Sequence, residues 1–395
     1  MTHFRPKDEV ELVGIVQQAL ATEEPMELVA GGSKRSLGRP MQLPHVLDLS
    51  GFCGVQVYEP EELILTVGAA TPMAEIERTL AGAHQMLAFE PGDWRALLGT
   101  ADKTQTLGGV LSCNIAGPRR IRQGAARDHL LGFHGVSGRG ESFKAGGKVV
   151  KNVTGYDLCK LMAGSYGTLA ALTEVTVKVL PYPEATRTVA LKGLAVDAAV
   201  KAMIQAVGSS HELGGAAHLP AVLSPTGAAM TVVRVEGPVP SVEARAVALR
   251  DELSGFGAAE IIDNDASLPL WQTFRDIMPL ASPADAAIWR VSIAPTDAPA
   301  LVDTLSRALD LRYFLDWGGG LLWLAVTGAS DGGATAIRSA IKSGHATLIR
   351  GGDGLRAAVP VFQPQNPTVA ALARRVKDSF DPERIFNRGR MYGDV

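Results

Sequence analysis

Two glycine-rich stretches, far apart in the chain, carry residue types suited to holding a phosphorylated ligand. The first, Gly31-Gly32-Ser33-Lys34-Arg35-Ser36-Leu37-Gly38, follows a strand-like run and mixes glycines with hydroxyl and basic side chains. Successive backbone N–H groups in such a turn form a concave anion site, and Lys34 or Arg35 adds charge for a pyrophosphate. An ordinary glycine turn with exposed basic residues has the same composition. The second stretch spreads Thr106, Gly108, Gly109, Ser112, Asn114 and Gly117, then Gly155-Tyr156-Asp157 and Gly164-Ser165-Tyr166-Gly167-Thr168. Glycine lets backbone approach a ligand closely, so Gly108-Gly109 can approach a flat ring system or its attached polyol chain. Ser112 and Asn114 offer donors and acceptors beside it. Asp157 can cap a short helix bearing Leu158, Leu161 and Met162, with Gly164 as its stop. For those two residues, shaping a turn stands beside ligand contact as a reading.

One polar constellation adjoins the second stretch: Arg119, Arg120, Arg122 and Arg127 with His129 and His134. Arginine pairs carboxylates in bidentate fashion, and histidine can accept a hydroxyl proton. A solvated basic loop or a docking surface for a partner protein fits the same residues. Competing nucleotide motifs are excluded. No G-x-G-x-x-G follows a strand, and Gly147-Lys148 is followed by Val149 instead of Ser or Thr. The eight histidines lack i, i+4 ligand spacing, so no metal site is expected, and Gly352-Asp353-Gly354 reads as a turn. Trp289, Trp317 and Trp323 read as core or interface.

The elements that position these residues follow from periodicity. Val10, Val13, Val16 and Leu20 recur at helical spacing, and Pro25 ends that helix. Met26 to Val29 reads as the strand that delivers the first loop. Val46 to Leu49 and Leu63 to Val67 read as further strands. Thr71 is placed to cap a helix with Pro72 at its first position and Met73, Ile76 and Leu80 on one face. Val175, Val177 and Val179 alternate with Thr176 and Lys178 in a half-buried strand. Pro181-Tyr182-Pro183 then marks a boundary. This is an α+β pattern, not a regular doubly wound sheet. From 184 to 355, strand-like runs (188–191, 231–235, 289–293, 321–326) alternate with alanine-rich helices, as in a ferredoxin-like domain. A helix over 368–379 and the segment FDPERIFNRGRMY are expected to pack back on the first domain. No internal repeat stands out.

Bulk composition sets the frame. A chain of 395 residues with 46% hydrophobic side chains can fill about two to three domain cores. A net charge of −3 gives no reason to expect nucleic acid. No apolar run of membrane-spanning length occurs, and MTHFRPKDEVELV has charges where a signal peptide needs an apolar core, so the expected location is cytoplasmic. Cys53, Cys113 and Cys159 are far apart, which argues against a disulfide framework. Three cysteines fall short of the four an ordinary iron–sulfur cluster needs, so electron relay through clusters requires a further chain.

The spaced set GGSK, TLGG, SCNIAGP, KNVTGYDL, GSYGTL and TEVTVKVLP resembles the FAD-binding domain of the vanillyl-alcohol oxidase / p-cresol methylhydroxylase (PCMH) type. Within that superfamily it is most similar to the FAD-binding subunits of bacterial glycolate oxidases. The resemblance is strong over about residues 5–185 and returns in the FDPERIFNRGRMY tail. It implies a two-lobed FAD-binding PCMH-type domain over 1–183, a ferredoxin-like α/β cap over 184–355, and a segment 356–395 packed back on the first.

The same resemblance implies the cofactor and its ligands. Non-covalent FAD would meet Gly31, Gly32, Ser33, Lys34 and Arg35 at its pyrophosphate. Thr106, Gly108, Gly109, Ser112, Asn114 and Gly117 would line its ribityl chain and ring. Gly167 and Thr168 would support the adenine side, and Asn387 would approach the flavin. The implied activity is oxidation of glycolate to glyoxylate as a flavoprotein oxidoreductase of glyoxylate metabolism. It would work in a multi-subunit complex with a larger FAD subunit and an iron–sulfur subunit, with peripheral membrane association through those partners. The His-x-Gly-Asp-Gly-Asn-x-His motif of the larger flavin subunits is missing here. An autonomous FAD-dependent 2-hydroxy-acid dehydrogenase acting on D-lactate, or a non-catalytic flavin-bearing assembly subunit, stands as an alternative. The catalytic base is unassigned.

Overall fold

A computed structural model describes residues 2–147 and 156–393, so Lys151 to Gly155 of the KNVTGYDL motif lie outside the described residues. The chain begins with a three-stranded parallel sheet in which His45–Asp48 lies between Thr2–Phe4 and Met26–Val29. Helix Glu9–Thr22 starts at Asp8, whose carboxylate accepts the Glu11 N–H at 2.9 Å. It buries Leu12, Val16 and Ala19 against Met26 and Leu47. The expected apolar face is therefore rotated: Val10 is 82% exposed. Leu12, one residue before Val13, does the packing, because the helix meets the sheet on the Leu12–Val16–Ala19 line.

Next comes a five-stranded antiparallel sheet in the order Val55–Glu59, Ile64–Gly68, Ala170–Lys178, Leu130–Ser137, Ser142–Gly146. Val175, Val177 and Val179 are fully buried, as their alternation predicts, but Thr176 on the opposite face is buried too, its hydroxyl 2.9 Å from that of Thr66. Helix Met73–Ala81 covers part of this core with Met73, Ile76 and Leu80. Its N-cap is Pro72 and not Thr71. The Thr71 hydroxyl instead donates to the Gly68 carbonyl at 2.6 Å and accepts the Gly54 N–H at 2.9 Å, which ties two loops together. Asp157 does cap Leu158–Met162, its carboxylate accepting the Lys160 N–H at 3.1 Å.

The cap is one eight-stranded sheet made of two ferredoxin-like halves. Ala185–Lys192, Gly215–Leu219, Met230–Gly237 and Ala259–Ile262 take the spatial order fourth-first-third-second of a βαββαβ unit. Ala287–Ser292, Asp310–Asp316, Leu321–Thr327 and His345–Arg350 repeat that order in mirror sequence. The halves join where His218 faces Leu315. One face of this sheet is covered by four helices, including Val196–Val207 and Ala298–Ala308. The other face joins the first domain's core, where Trp94 meets Trp323 edge-on at 5.6 Å between ring centroids. Helix Pro367–Phe380 and the tail then return to the first sheet: the Met26 N–H donates to the Ile385 carbonyl, and the Asn387 N–H to the Met26 carbonyl.

Candidate functional site

A cleft runs between the two sheets of the first domain and encloses about 720 Å³, part of it open to solvent. Leu28, Val29 and Leu49 form one wall; Ala69, Ala170 and Leu172 form the other. Strand Met26–Val29 runs directly into the glycine loop at one edge. Gly31 sits so tightly against the Thr104 carbonyl that any side chain there would collide with it. The amides of Gly32 and Lys34 have no hydrogen-bond acceptor among the described residues. This is the concave donor set that a pyrophosphate needs.

Lys34 lines the cleft with its ammonium 3.3 Å from Ser33 Oγ. Burial pulls its pKa down to about 8, although Asp93 lies near enough to favour the charge. An anionic ligand would restore what burial removes. Arg35 behaves differently. Its guanidinium is engaged by the Glu27 carboxylate, with Nε to Oε1 at 2.9 Å, so its charge is already committed to a protein partner.

Of the sequence-assigned residues, Gly31, Gly32, Ser33, Lys34, Arg35, Thr106, Gly108, Gly109, Ser112, Gly167 and Asn387 line this one cleft. Asn114, Gly117 and Thr168 do not. Asn114 turns its side chain to the Arg127 N–H at 3.0 Å. Gly117 is pressed against the Glu90 carbonyl and accepts the Trp317 indole N–H at 3.1 Å. Thr168 hydrogen-bonds within its own turn, and its carbonyl accepts the buried Lys377 ammonium at 2.6 Å.

Three polar cleft residues, Arg390, Tyr166 and Cys113, carry no cofactor role in the sequence assignment. Arg390 donates to the carbonyls of Lys34 at 2.7 Å and Leu37 at 3.3 Å, which holds the loop from behind. Its signal was present in the same NRGR run that marks Asn387. Tyr166 stands at the cleft wall, its phenol pushed up in pKa by burial. Cys113 is a free thiol on the same wall, likewise pushed up by burial.

The arginine–histidine constellation separates in space. Arg119 pairs with Glu236 at 2.7 Å and Arg122 with Glu212 at 2.9 Å. His129 is buried against Gln123 O, and His134 lies on the far side beside Glu174. Arg234 grips Glu90 through two bonds of 2.9 and 2.8 Å. Burial alone would raise the Glu90 pKa, but Arg234 and Arg119 together bring it down to about 2. Arg120 and Arg127 of the set keep their guanidinium groups free of a carboxylate among the described residues. Asp353 starts a short helix and pairs with Arg356, and no group of three metal-ligating side chains occurs among the described residues.

Comparison with known proteins gives the cleft its ligand. Residues 3–146 match the model of the FAD binding domain, and residues 352–391 match the C-terminal domain of FAD linked oxidases. The glycolate oxidase subunit GlcE of Escherichia coli (strain K12) is 32% identical over 380 residues, which covers 96% of both chains. The glycolate oxidase subunit GlcD of Bacillus subtilis (strain 168) is 32% identical over 37% of this chain and 30% of its own. A D-lactate dehydrogenase of Archaeoglobus fulgidus is 28% identical over 45% of this chain and 38% of its own. Among solved structures, alkyldihydroxyacetonephosphate synthase shares the fold with a TM-score of 0.68 at 16% identity, covering 97% of this chain and 75% of that one. The cofactor is FAD, and the free amides, Lys34 and the apolar walls suit its phosphate and ring portions. The chain belongs to the FAD-linked oxidase family, as a full-length relative of glycolate oxidase subunit GlcE.

Proposed function

We propose that this chain is the FAD-bearing subunit of a multi-subunit glycolate oxidase. Glycolate would lose two electrons and two protons to become glyoxylate, and the electrons would pass to an iron–sulfur partner. The observation that carries the reading is full-length similarity to GlcE combined with a cleft built for FAD. The three cysteines are too few for an ordinary cluster in this chain, which supports a separate iron–sulfur subunit.

In this reading FAD, when bound, supplies the two-electron acceptor chemistry. The chain's own residues bind and orient. The Gly31–Arg35 loop and Lys34 hold the pyrophosphate, with Arg390 bracing that loop. Thr106, Gly108, Gly109 and Ser112 face the ribityl chain and ring. Gly167 and Asn387 close the cleft, while Asn114, Gly117 and Thr168 stabilise its walls from outside. We assign residues 1–183 to the FAD domain, 184–355 to the cap and 356–395 to the returning segment. The complex is placed in the cytoplasm, reaching the membrane through its partners. Among the described residues, no helix is long and apolar enough to cross a membrane.

Purification from the native host, with mass identification of partners and a flavin spectrum, tests the reading. We expect a larger flavin subunit, a cysteine-rich subunit and glycolate-dependent dye reduction by the complex. A chain that elutes alone and is bleached by glycolate or D-lactate is instead an autonomous dehydrogenase. A colourless chain that still binds its partners is an assembly subunit.

A further inference from the structure

The buried and half-buried arginines between the first domain and the cap have evident partners, with two exceptions. Arg119, Arg234 and Arg275 each hold a carboxylate: Glu236, Glu90 and Asp276. Arg350 is satisfied by main-chain carbonyls, among them Leu97 at 3.1 Å and Ala281 at 2.8 Å. Arg120 and Arg290 have neither. Among the described residues, no hydrogen-bond acceptor or ion-pair partner reaches either guanidinium. Yet both are gathered on one ring: their guanidinium carbons lie 4.5 and 5.1 Å from the Trp317 ring centroid.

Two like charges brought together and half-buried are unfavourable unless something compensates. Cation–π contact with one indole offsets part of this. The electrostatics agree: burial first, and Arg120 second, pull the Arg290 pKa down to about 10. The pair does not line the flavin cleft itself but lies next to it, behind Tyr166 of the cleft wall. Trp317 is hydrogen-bonded to Gly117, three residues before Arg120. Tyr166, a cleft residue, senses the Arg290 charge and packs edge-on to Phe362 at 5.0 Å. The titratable and charged groups around the pair are Asp316, Tyr166 and His345 near Arg290, and Asp128 and Arg127 near Arg120. None of them pairs with it.

We propose that Arg120 and Arg290, gathered against Trp317, form the carboxylate-binding site for a small 2-hydroxy acid at the cap side of the flavin cleft. This rests on the reading that a 2-hydroxy acid is oxidised at this chain. The site explains why one arginine comes from the first domain and the other from the cap strand Ala287–Ser292: a bound carboxylate draws the two lobes together beside the cofactor. Arginine suits the role because its planar fork pairs both carboxylate oxygens.

The test is calorimetric titration of the FAD-loaded complex with oxalate, an unreactive two-carbon carboxylate, together with glycolate turnover and flavin content. Arg120→Gln and Arg290→Gln should each weaken oxalate about 10- to 100-fold, the loss expected for a charge-assisted contact. Flavin content should stay unchanged, and Arg290→Lys should retain part of the affinity. Arg122→Gln, which removes a surface pair with Glu212, should bind oxalate like the wild type. Should either glutamine variant lose flavin, the lysine variant carries the decision. Wild-type oxalate affinity in the variants, or no oxalate binding by the wild type, overturns the site even if the complex oxidises glycolate. Arginine-dependent oxalate binding by a complex inert to glycolate supports the site and counts against glycolate as the substrate.

Discussion

Asn387 donates from its side-chain amide to the Tyr166 carbonyl at 2.8 Å, although 221 residues separate the two in sequence. The same side chain accepts the Leu28 N–H at 2.9 Å. One buried amide thus fixes both walls of the FAD cleft. Gly167 follows Tyr166 at φ 69° and approaches so closely that a Cβ there would lie 2.8 Å from the Asn387 nitrogen.

Removing this clamp should loosen the cofactor. Asn387→Ala leaves a buried N–H and a buried carbonyl without partners, at about 1–3 kcal/mol each. We expect lower thermal stability and an FAD dissociation constant raised at least tenfold, read by thermal melts and flavin fluorescence titration. Gly167→Ala should show the same defect, since its backbone conformation disfavours a side chain.

FAD affinity should depend on pH through Lys34. Its pKa of about 8 in the free cleft lies below the ordinary lysine value because of burial. A pyrophosphate favours the charged form and raises that pKa, so binding above pH 8 requires proton uptake. Affinity should be flat below about pH 8 and fall above it. Lys34→Met should bind FAD more weakly at pH 7 and lose this alkaline fall, which titrations between pH 6 and 10 would reveal.

Asp316 makes an opposite kind of prediction. It is fully buried at the end of strand Asp310–Asp316, where its carboxylate accepts the Trp317 N–H at 2.7 Å. Burial lifts its pKa to about 7. The folded state then holds a proton that the unfolded state has released above about pH 4. Stability from this group is fully present below pH 4 and is lost as pH rises through 7. Asp316→Asn keeps an acceptor without the charge. Relative to the wild type it should gain at least about 1 kcal/mol between pH 4 and pH 8, one pKa unit's equivalent, in urea denaturation at the two pH values.

The tail depends on a fully buried ion pair. Lys377 Nζ lies 2.7 Å from the Asp381 carboxylate and also donates to the Thr168 and Phe386 carbonyls. Asp381 accepts the Ile385 and Phe386 N–H groups in return. Removing one partner strands the other charge, a loss of about 3–5 kcal/mol. Lys377→Met and Asp381→Ala should each show it in chemical denaturation. Flavin occupancy should fall in parallel, since Asn387 hangs on the same turn.

Much of this was legible because local pattern and global fold agree. Met26 to Val29 reads as the strand that feeds the glycine loop, and the structure has that strand at those residues. Most of the assigned glycine and hydroxyl residues meet in one cleft, with Gly117 and Thr168 the exceptions. What stayed hidden depends on partners distant in sequence. Nothing near Val10 shows that the sheet meets the helix along Leu12 and Val16. Nothing near Thr71 shows that its hydroxyl is claimed by Gly54 and Gly68. The doubled ferredoxin-like unit of the cap is a repeat of strand order, not of residues, so composition could not display it. Four neighbouring arginines looked like one cluster. Three-dimensional pairing sends Arg119 and Arg122 to glutamates of the cap side and leaves Arg120 beside Arg290, 170 positions away by residue number.

The return of the tail has a consequence for biosynthesis. Arg390 braces the Lys34 loop and Asn387 bridges Leu28 to Tyr166, yet both are made only after the entire cap sheet. A ribosome-bound chain that has just completed the first domain holds an open, unbraced cleft. The braced cleft is therefore complete only once the cap has been made and the tail has crossed back.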